Sequence, residues 1–195
     1  MDFTLTDEQQ QIVETARKFA RNEFPGIARE CDREEKFPRE VWEAAGKLGF
    51  MGIFIQPQYG GLGLGYLEQA MVMEEFWRVD PGVGNILLTV FGSEIIGAFG
   101  TEAQRNKYLP PVAEGKAIMS CAITEPDAGS DIFGVRTRAV KTANGYLING
   151  TKQFITNGSI ADLVLLLCVT NPDASKPTQR FSFVVVETDR PGFTA

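Results

Sequence analysis

The chain has 195 residues, 44% of them hydrophobic, and a formal net charge of −6 with no basic stripe. That is enough apolar material for the core of one domain or two small ones, and the charge argues against a nucleic-acid partner. Histidine is absent, which excludes Ser-His-Asp and Cys-His catalysis within these residues and removes the commonest zinc ligand.

The first hundred residues read as helices. Thr6 and Gln9 are spaced as a capping box, and Ile12, Val13, Ala16, Phe19 and Ala20 follow at helical spacing. Pro25 interrupts that helix or stands at the start of a new one. Pro38 suits the first turn of the next, whose Val41, Ala45 and Leu48 face one side and which Gly49 ends. Phe50 to Pro57 is short and apolar, and Tyr59 to Gly65 is a glycine-rich loop. Helices are predicted from about Leu67 to Arg78 and from about Val83 to Phe99, the second with Ile86, Leu87, Val90 and Phe91 inward and Gly100 as its stop. Thr101 with Gln104 repeats the capping-box spacing before a short helix ending near Pro110 and Pro111. Met71, Met73, Phe76 and Trp77 are most simply core and inter-helix contacts.

After Gly115 the character changes. Met119–Thr124, Val135–Val140, Tyr146–Ile148, Gln153–Ile155, Leu163–Val169 and Phe181–Glu187 are short, β-branched or aromatic, and separated by turn signals such as Asn144-Gly145 and Asn149-Gly150. Asn171 to Gln179 is a polar loop with Pro172 and Pro177. Helices followed by strands, without βαβ alternation, predict an α+β chain: a helical domain over 1–115 and a β domain over 116–195. No stretch approaches the ~20 uninterrupted apolar residues of a membrane span. Met1-Asp2-Phe3 is acidic and has no apolar signal core, so a cytoplasmic protein is expected. Cys31, Cys121 and Cys168 are far apart with no Cys-x-x-Cys spacing, so thiols are expected rather than a disulfide framework or a zinc site.

Two runs carry the chemistry. In Cys121-Ala122-Ile123-Thr124-Glu125-Pro126-Asp127-Ala128-Gly129-Ser130-Asp131 an apolar strand ends in a hydroxyl, and Pro126 and Gly129 then break the chain. Such a corner frees backbone N–H groups beside two hydroxyls and suits an acceptor-rich ligand such as a phosphorylated cofactor. In Asn149-Gly150-Thr151-Lys152-Gln153-Phe154-Ile155-Thr156-Asn157-Gly158 an aromatic and a hydroxyl lie between two turns, as one wall for a flat heteroaromatic ring requires. Together these runs resemble signature segments of the acyl-CoA dehydrogenase flavoprotein family: Thr-Glu-Pro, two residues, then Gly-Ser-Asp, and Asn-Gly-x-Lys-x-aromatic-Ile-Thr-Asn-Gly. The resemblance extends to Phe3–Gln10, to Phe50–Leu64 with Pro57 and Gly60-Gly61, and to Gly100-Thr101-Glu102-Ala103-Gln104 leading to Tyr108-Leu109-Pro110.

The resemblance implies an N-terminal helical domain followed by the first part of an antiparallel β-barrel-like domain, with the C-terminal helical domain outside these residues. It implies FAD as cofactor, α,β-dehydrogenation of an acyl-CoA thioester, electron-transferring flavoprotein as acceptor, and a homo-oligomer, commonly a homotetramer, for the full-length protein. It places the hydroxyl of Thr124 and its neighbouring amides, with Cys121, Ala122 and Ile123 leading to them, at the pyrimidine side of the isoalloxazine. Donors fixed there stabilise reduced flavin. It puts the Gly129 amide and Ser130 at the pyrophosphate, Ser130 also near the acyl-CoA chain, and Thr156 near flavin N5, with Phe154 and Ile155 along the ring edge. Phe154 stands where the family more often has Trp, and Cys121 where a bulkier residue is frequent. Glu125 and Asp131 read as turn carboxylates that accept backbone hydrogen bonds. The family's base is a glutamate of the C-terminal domain, so no catalytic residue is assigned. Gly60 to Gly65 lacks the Lys-Ser/Thr of a phosphate loop and reads as a connector. The alternatives are a related acyl-CoA oxidase, nitroalkane oxidase or flavin monooxygenase, and an inactive structural module that retains FAD weakly or not at all.

Overall fold

The computed structural model describes residues 4–195; Met1, Asp2 and Phe3, where the N-terminal family motif opens, lie outside the described residues. The chain divides into two compact units, Met1–Ala117 and Ile118–Ala195.

In the first unit Thr6 and Gln9 cap each other reciprocally and open α1 (Asp7–Glu23), which buries Ala16, Phe19 and Ala20. Pro25 follows its end, and α2 (Ala28–Glu34) resumes after a short turn. Pro38 stands immediately before α3 (Arg39–Lys47), which buries Val41, Trp42 and Ala45 but leaves Leu48 exposed. Next comes α4 (Tyr66–Val79). The core is aromatic: Phe19, Phe24, Phe50 and Phe76 meet with ring centroids 5.1 to 6.0 Å apart, in edge, tilted and stacked pairs. Of the residues expected in the interior of α4, Phe76 is buried, Met71 and Met73 are half-buried, and Trp77 is exposed.

The single helix expected from Val83 to Phe99 is broken into three pieces. A short α5 (Pro81–Gly84) runs into a 3-10 turn over Asn85–Thr89, the chain reverses at Gly92 with φ +110°, and α6 (Ser93–Phe99) starts afresh. Hydroxyls compete with the helical ladder here. Thr89 Oγ1 donates to the Ile86 carbonyl at 2.7 Å while accepting the Trp42 indole N–H at 2.8 Å, and Ser93 Oγ donates to the Val90 carbonyl at 2.7 Å. Ile86, Leu87 and Val90 are buried as expected, but the break turns Phe91 outward. The second capping box, Thr101 with Gln104, opens α7 (Glu102–Ala113), which continues through Pro110 and Pro111 rather than ending at them. The proline carbonyls still serve the exit, Pro110 accepting from Glu114 N and Pro111 from Lys116 N and Ala117 N.

The second unit is one sheet of β1 (Met119–Ala122), β2 (Arg138–Thr142), β3 (Gly145–Asn149), β4 (Leu163–Val169) and β5 (Phe181–Glu187), among the described residues. The ranges of β4 and β5 coincide with those expected from sequence. β4 is buried along nearly its whole length without alternation, as befits a strand covered on both faces. The expectation of an antiparallel sheet holds for β2–β3 and β4–β5; β1 and β2 pair with β4 in parallel, so the sheet is mixed and not closed. β1 and β2 share one edge of β4 in succession. The β1 ladder stops at Ala122↔Leu166, and β2 takes up the edge at Arg138↔Val169. Gln153–Ile155, expected as a strand, is not one, because Phe154 at φ +58° and Asn157 at φ +62° turn the backbone out of the extended region. β2 begins later than the predicted Val135 because the amides of Arg136 and Thr137 are taken by the Glu125 carboxylate.

In the first unit Glu75, its side chain only 4% exposed, accepts two 2.9 Å bonds from Arg17. Those bonds, the largest influence, hold its carboxyl below the ordinary value against the effect of burial. Replacing Arg17 by Met removes both hydrogen bonds and leaves the buried Glu75 carboxylate only the longer 3.7 Å contact to Arg78. A urea titration of R17M is expected to show a loss of about 2 kcal/mol, below the full cost of breaking a buried pair because Arg17 is partly exposed, with an unchanged slope.

Candidate functional site

The two chemistry-bearing runs lie side by side. β1 ends at Ala122 and the chain leaves the sheet through Ile123 and Thr124. Glu125 and Ala128 then exchange backbone hydrogen bonds of 2.9 and 3.1 Å around Pro126-Asp127, closing a tight turn with proline at its first central position. The second run meets this corner at consecutive residues. Lys152 Nζ donates to the Ile123 carbonyl at 2.8 Å, the Gln153 amide donates to the Thr124 carbonyl at 2.9 Å, and Lys152 Nζ also donates to Glu125 Oε1 at 2.9 Å. Further along, Ser120 Oγ donates to the Thr156 carbonyl.

Glu125 is the anchor of the corner. Its side chain is 7% exposed and that of Lys152 8%. Its oxygens accept the amides of Arg136 at 2.7 Å and Thr137 at 3.0 Å besides the lysine. Burial pushes the carboxyl upward, but hydrogen bonds from Thr137, Arg136 and Lys152 outweigh it and hold the group at about 2. Its reading as a structural turn carboxylate is therefore supported, and so is that of Asp131, whose Oδ1 accepts the Phe133 amide at 3.1 Å to cap the short 3-10 turn Ile132–Gly134.

The expected site residues separate by exposure. Cys121 and Ala122 are buried in the sheet, paired with Leu165 and Leu166, and Ile123 packs against Ala128, Val135 and Leu167. Thr124 and Ile155 are half-buried, and Gly129, Ser130 and Thr156 are exposed. Phe154 is 86% exposed although aromatic, on a backbone in the left-handed region. Among the described residues the hydroxyls of Thr124, Ser130 and Thr156 make no hydrogen bond within the chain, and Asn157 Nδ2 is buried without a partner. A Cβ on Gly129 would meet nothing within 4 Å, so the backbone there is open to close approach by a ligand. Ser120 and Lys152 were not singled out from the sequence. The signal for Lys152 is that it is the one charged residue of the second run, opposite in sign to the three carboxylates of the first; Ser120, a small polar residue in an apolar strand, leaves none.

Two cavities lie in the helical unit. One, of about 210 Å3, is lined by residues that include Phe54, Tyr59, Tyr66 and Glu94; burial raises the carboxyl of Glu94 while the Gly92 amide bonds it at 2.8 Å. A wider one, of about 570 Å3, has Cys31, Lys36 and Asp80 on its wall. The three cysteines are thiols, and no cluster of metal ligands occurs among the described residues. No helix among them is long and apolar enough to cross a membrane.

The profile of the acyl-CoA dehydrogenase N-terminal domain matches residues 6–116, and that of the acyl-CoA dehydrogenase middle domain matches residues 120–195. The chain belongs to the acyl-CoA dehydrogenase family. It is 40% identical to the short-chain specific acyl-CoA dehydrogenase of Clostridium acetobutylicum across all of this chain and 51% of that protein. A solved structure from work on the electron transferring flavoprotein of Acidaminococcus fermentans and flavin-based electron bifurcation superposes with TM-score 0.92 at 37% identity, over 98% of this chain and 50% of that one. The FAD complex of PigA superposes with TM-score 0.88 at 32% identity, over 98% and 51%. The chain thus spans about half the length of the family members it matches.

The depressed Glu125 carboxyl contributes stability that is fully present above its ordinary value of 4.5 and is lost as pH falls through about 2. Unfolding free energy is expected to drop by on the order of 3 kcal/mol across that window, and Glu125→Gln to flatten the drop in a pH series of denaturant titrations. A Cβ on Gly150 would stand 2.1 Å from Thr137 Oγ1 and 2.7 Å from Thr137 Cα. Gly150→Ala therefore has to push the second run off the start of β2, and its melting temperature should fall by more than that of Gly129→Ala, which meets open space.

Proposed function

We propose that this chain supplies the helical domain and the cofactor-facing corner of an FAD-dependent acyl-CoA dehydrogenase, which removes the α and β hydrogens of an acyl-CoA thioester and passes the electrons to an electron-transferring flavoprotein. Bound FAD supplies the two-electron acceptor for the hydrogen leaving the β carbon. The chain's own residues bind and orient. The Thr124 hydroxyl and the amides beside it donate to the pyrimidine side of the ring, on a backbone carried by Cys121, Ala122 and Ile123. Thr156 offers its hydroxyl or amide toward the N5 edge, with Phe154 and Ile155 as the apolar wall. The Gly129 amide and Ser130 take the pyrophosphate, and Ser130 also meets the acyl-CoA chain. None of these residues moves the α proton; that base belongs to another part of the protein, and so does the contact that makes the full-length protein a homo-oligomer.

The observation that carries this reading is the bond from the Gln153 amide to the Thr124 carbonyl, which joins the two hydroxyl-bearing runs into one wall. The donor set fits the cofactor: half-buried and exposed hydroxyls with no internal partner, near an aromatic ring held out of the core. The likeness to an FAD complex and to a structure from electron-transferring flavoprotein work supports the choice of cofactor and acceptor. Binding free energy in relatives twice this length is shared over more surface, so the 195-residue chain is expected to lose FAD on gel filtration yet to perturb flavin fluorescence saturably in a titration. Thr124→Val with Thr156→Val removes at least the Thr124 hydroxyl bond, about 1 kcal/mol, and should weaken that binding roughly fivefold or more. A flat titration, or equal affinity in the double variant, overturns the reading.

A further inference from the structure

We propose that Lys152 is a positioning residue: its ammonium, with the neighbouring Gln153 amide, clamps Ile123, Thr124 and Glu125 in succession and thereby fixes how Phe154 and Thr156 are presented beside Thr124. The inference rests on the functional reading above for what is presented, but the clamp itself is a property of the chain.

Three acceptors on consecutive residues, the Ile123 carbonyl, the Thr124 carbonyl and the Glu125 carboxylate, each take a donor from Lys152 or Gln153. A lysine whose only task was to neutralise Glu125 would need one of these contacts. This one also reaches the carbonyl immediately before Thr124, so its position sets the height of the second run along the corner. Immediately beyond the clamp comes Phe154, at φ +58° and exposed. A bulky residue adopts that conformation only where its surroundings hold it there. The restraint is present on both sides: Gln153 is bonded to Thr124 before it, and Ser120 Oγ is bonded to the Thr156 carbonyl after it. The hook between these two ties carries the aromatic ring and the hydroxyl assigned to the ring edge. A buried ion pair is often replaceable by apolar residues without loss of stability, so its use here is better sought in the geometry it enforces.

The test is amide hydrogen exchange by NMR on the 195-residue chain, with FAD titration in parallel. The double variant Glu125→Gln/Lys152→Met removes both charges and leaves no carboxylate stranded. The Gln153 amide is expected to exchange at least about tenfold faster in it, while the Leu165 amide at the centre of β4 keeps its wild-type rate. FAD affinity should fall about tenfold with it, because the wall residues lose their common register. Lys152→Arg, which keeps the charge with a bulkier head, provides a second route should the double variant fail to fold; it should speed Gln153 exchange by about threefold with Leu165 unchanged. Unchanged Gln153 exchange in the variant that folds, or equal acceleration at Gln153 and Leu165, overturns the inference. A wild-type chain that leaves flavin fluorescence unperturbed overturns the functional reading instead, and the exchange rates still decide whether Lys152 sets the hook.

Discussion

An ammonium and a carboxylate buried 2.9 Å apart hold the β unit's corner together. Around them converge three stretches distant in sequence: the exit of β1, the start of β2 and the run after β3. None of these stretches has a complete strand ladder of its own at that point. β1 has just left the edge of β4, and β2 has not yet reached it. Backbone amides in such a gap need acceptors, and the Glu125 carboxylate supplies them for Arg136 and Thr137. The irregular backbone at which the cofactor contact is proposed is thus the same backbone that requires a buried charge.

The helical unit is organised differently. Four phenylalanines meet at its core, and a strongly buried carboxylate, Glu75, is bonded from α1 by Arg17. Apolar burial supplies the cohesion, and hydroxyls of Thr89 and Ser93 decide where helices stop. In the β unit polar contacts shape the corner while β4, covered on both faces, supplies the apolar centre.

Much of this was legible in the residues. Both capping boxes, the strands β4 and β5 and the α+β order follow from spacing alone, because each is a local preference that packing reinforces. What was not legible shares one cause. The interrupted helix after Val83, the late start of β2 and the hook at Phe154 all arise where a side chain or a distant backbone captures a group that local periodicity would have assigned to its neighbours. The same holds for the parallel pairing of β1 with β4: hairpin signals between strands are visible in sequence, but a strand that skips two others is not. At the corner, the motif residues were recognisable, while the roles of Ser120 and Lys152 depend on contacts to residues 36 and 27 to 29 positions away.

The parallel ladder between β1 and β4 also bears on how the unit is reached from the unfolded chain. The contact from Ile118 to Asp162 closes a span of 44 residues, whereas β2 and β3 are joined by a turn of a few residues. Closing the long span costs chain entropy before the sheet returns any of it. Loop-closure entropy therefore favours the β2–β3 hairpin and the β4–β5 pair over the β1–β4 ladder as early contacts, and an order in which β1 docks last would bring Thr124 to its neighbours in the event that completes the sheet. In that order the corner proposed to meet the cofactor would be assembled only with the last strand, and a chain halted before it would carry every motif residue but no assembled corner.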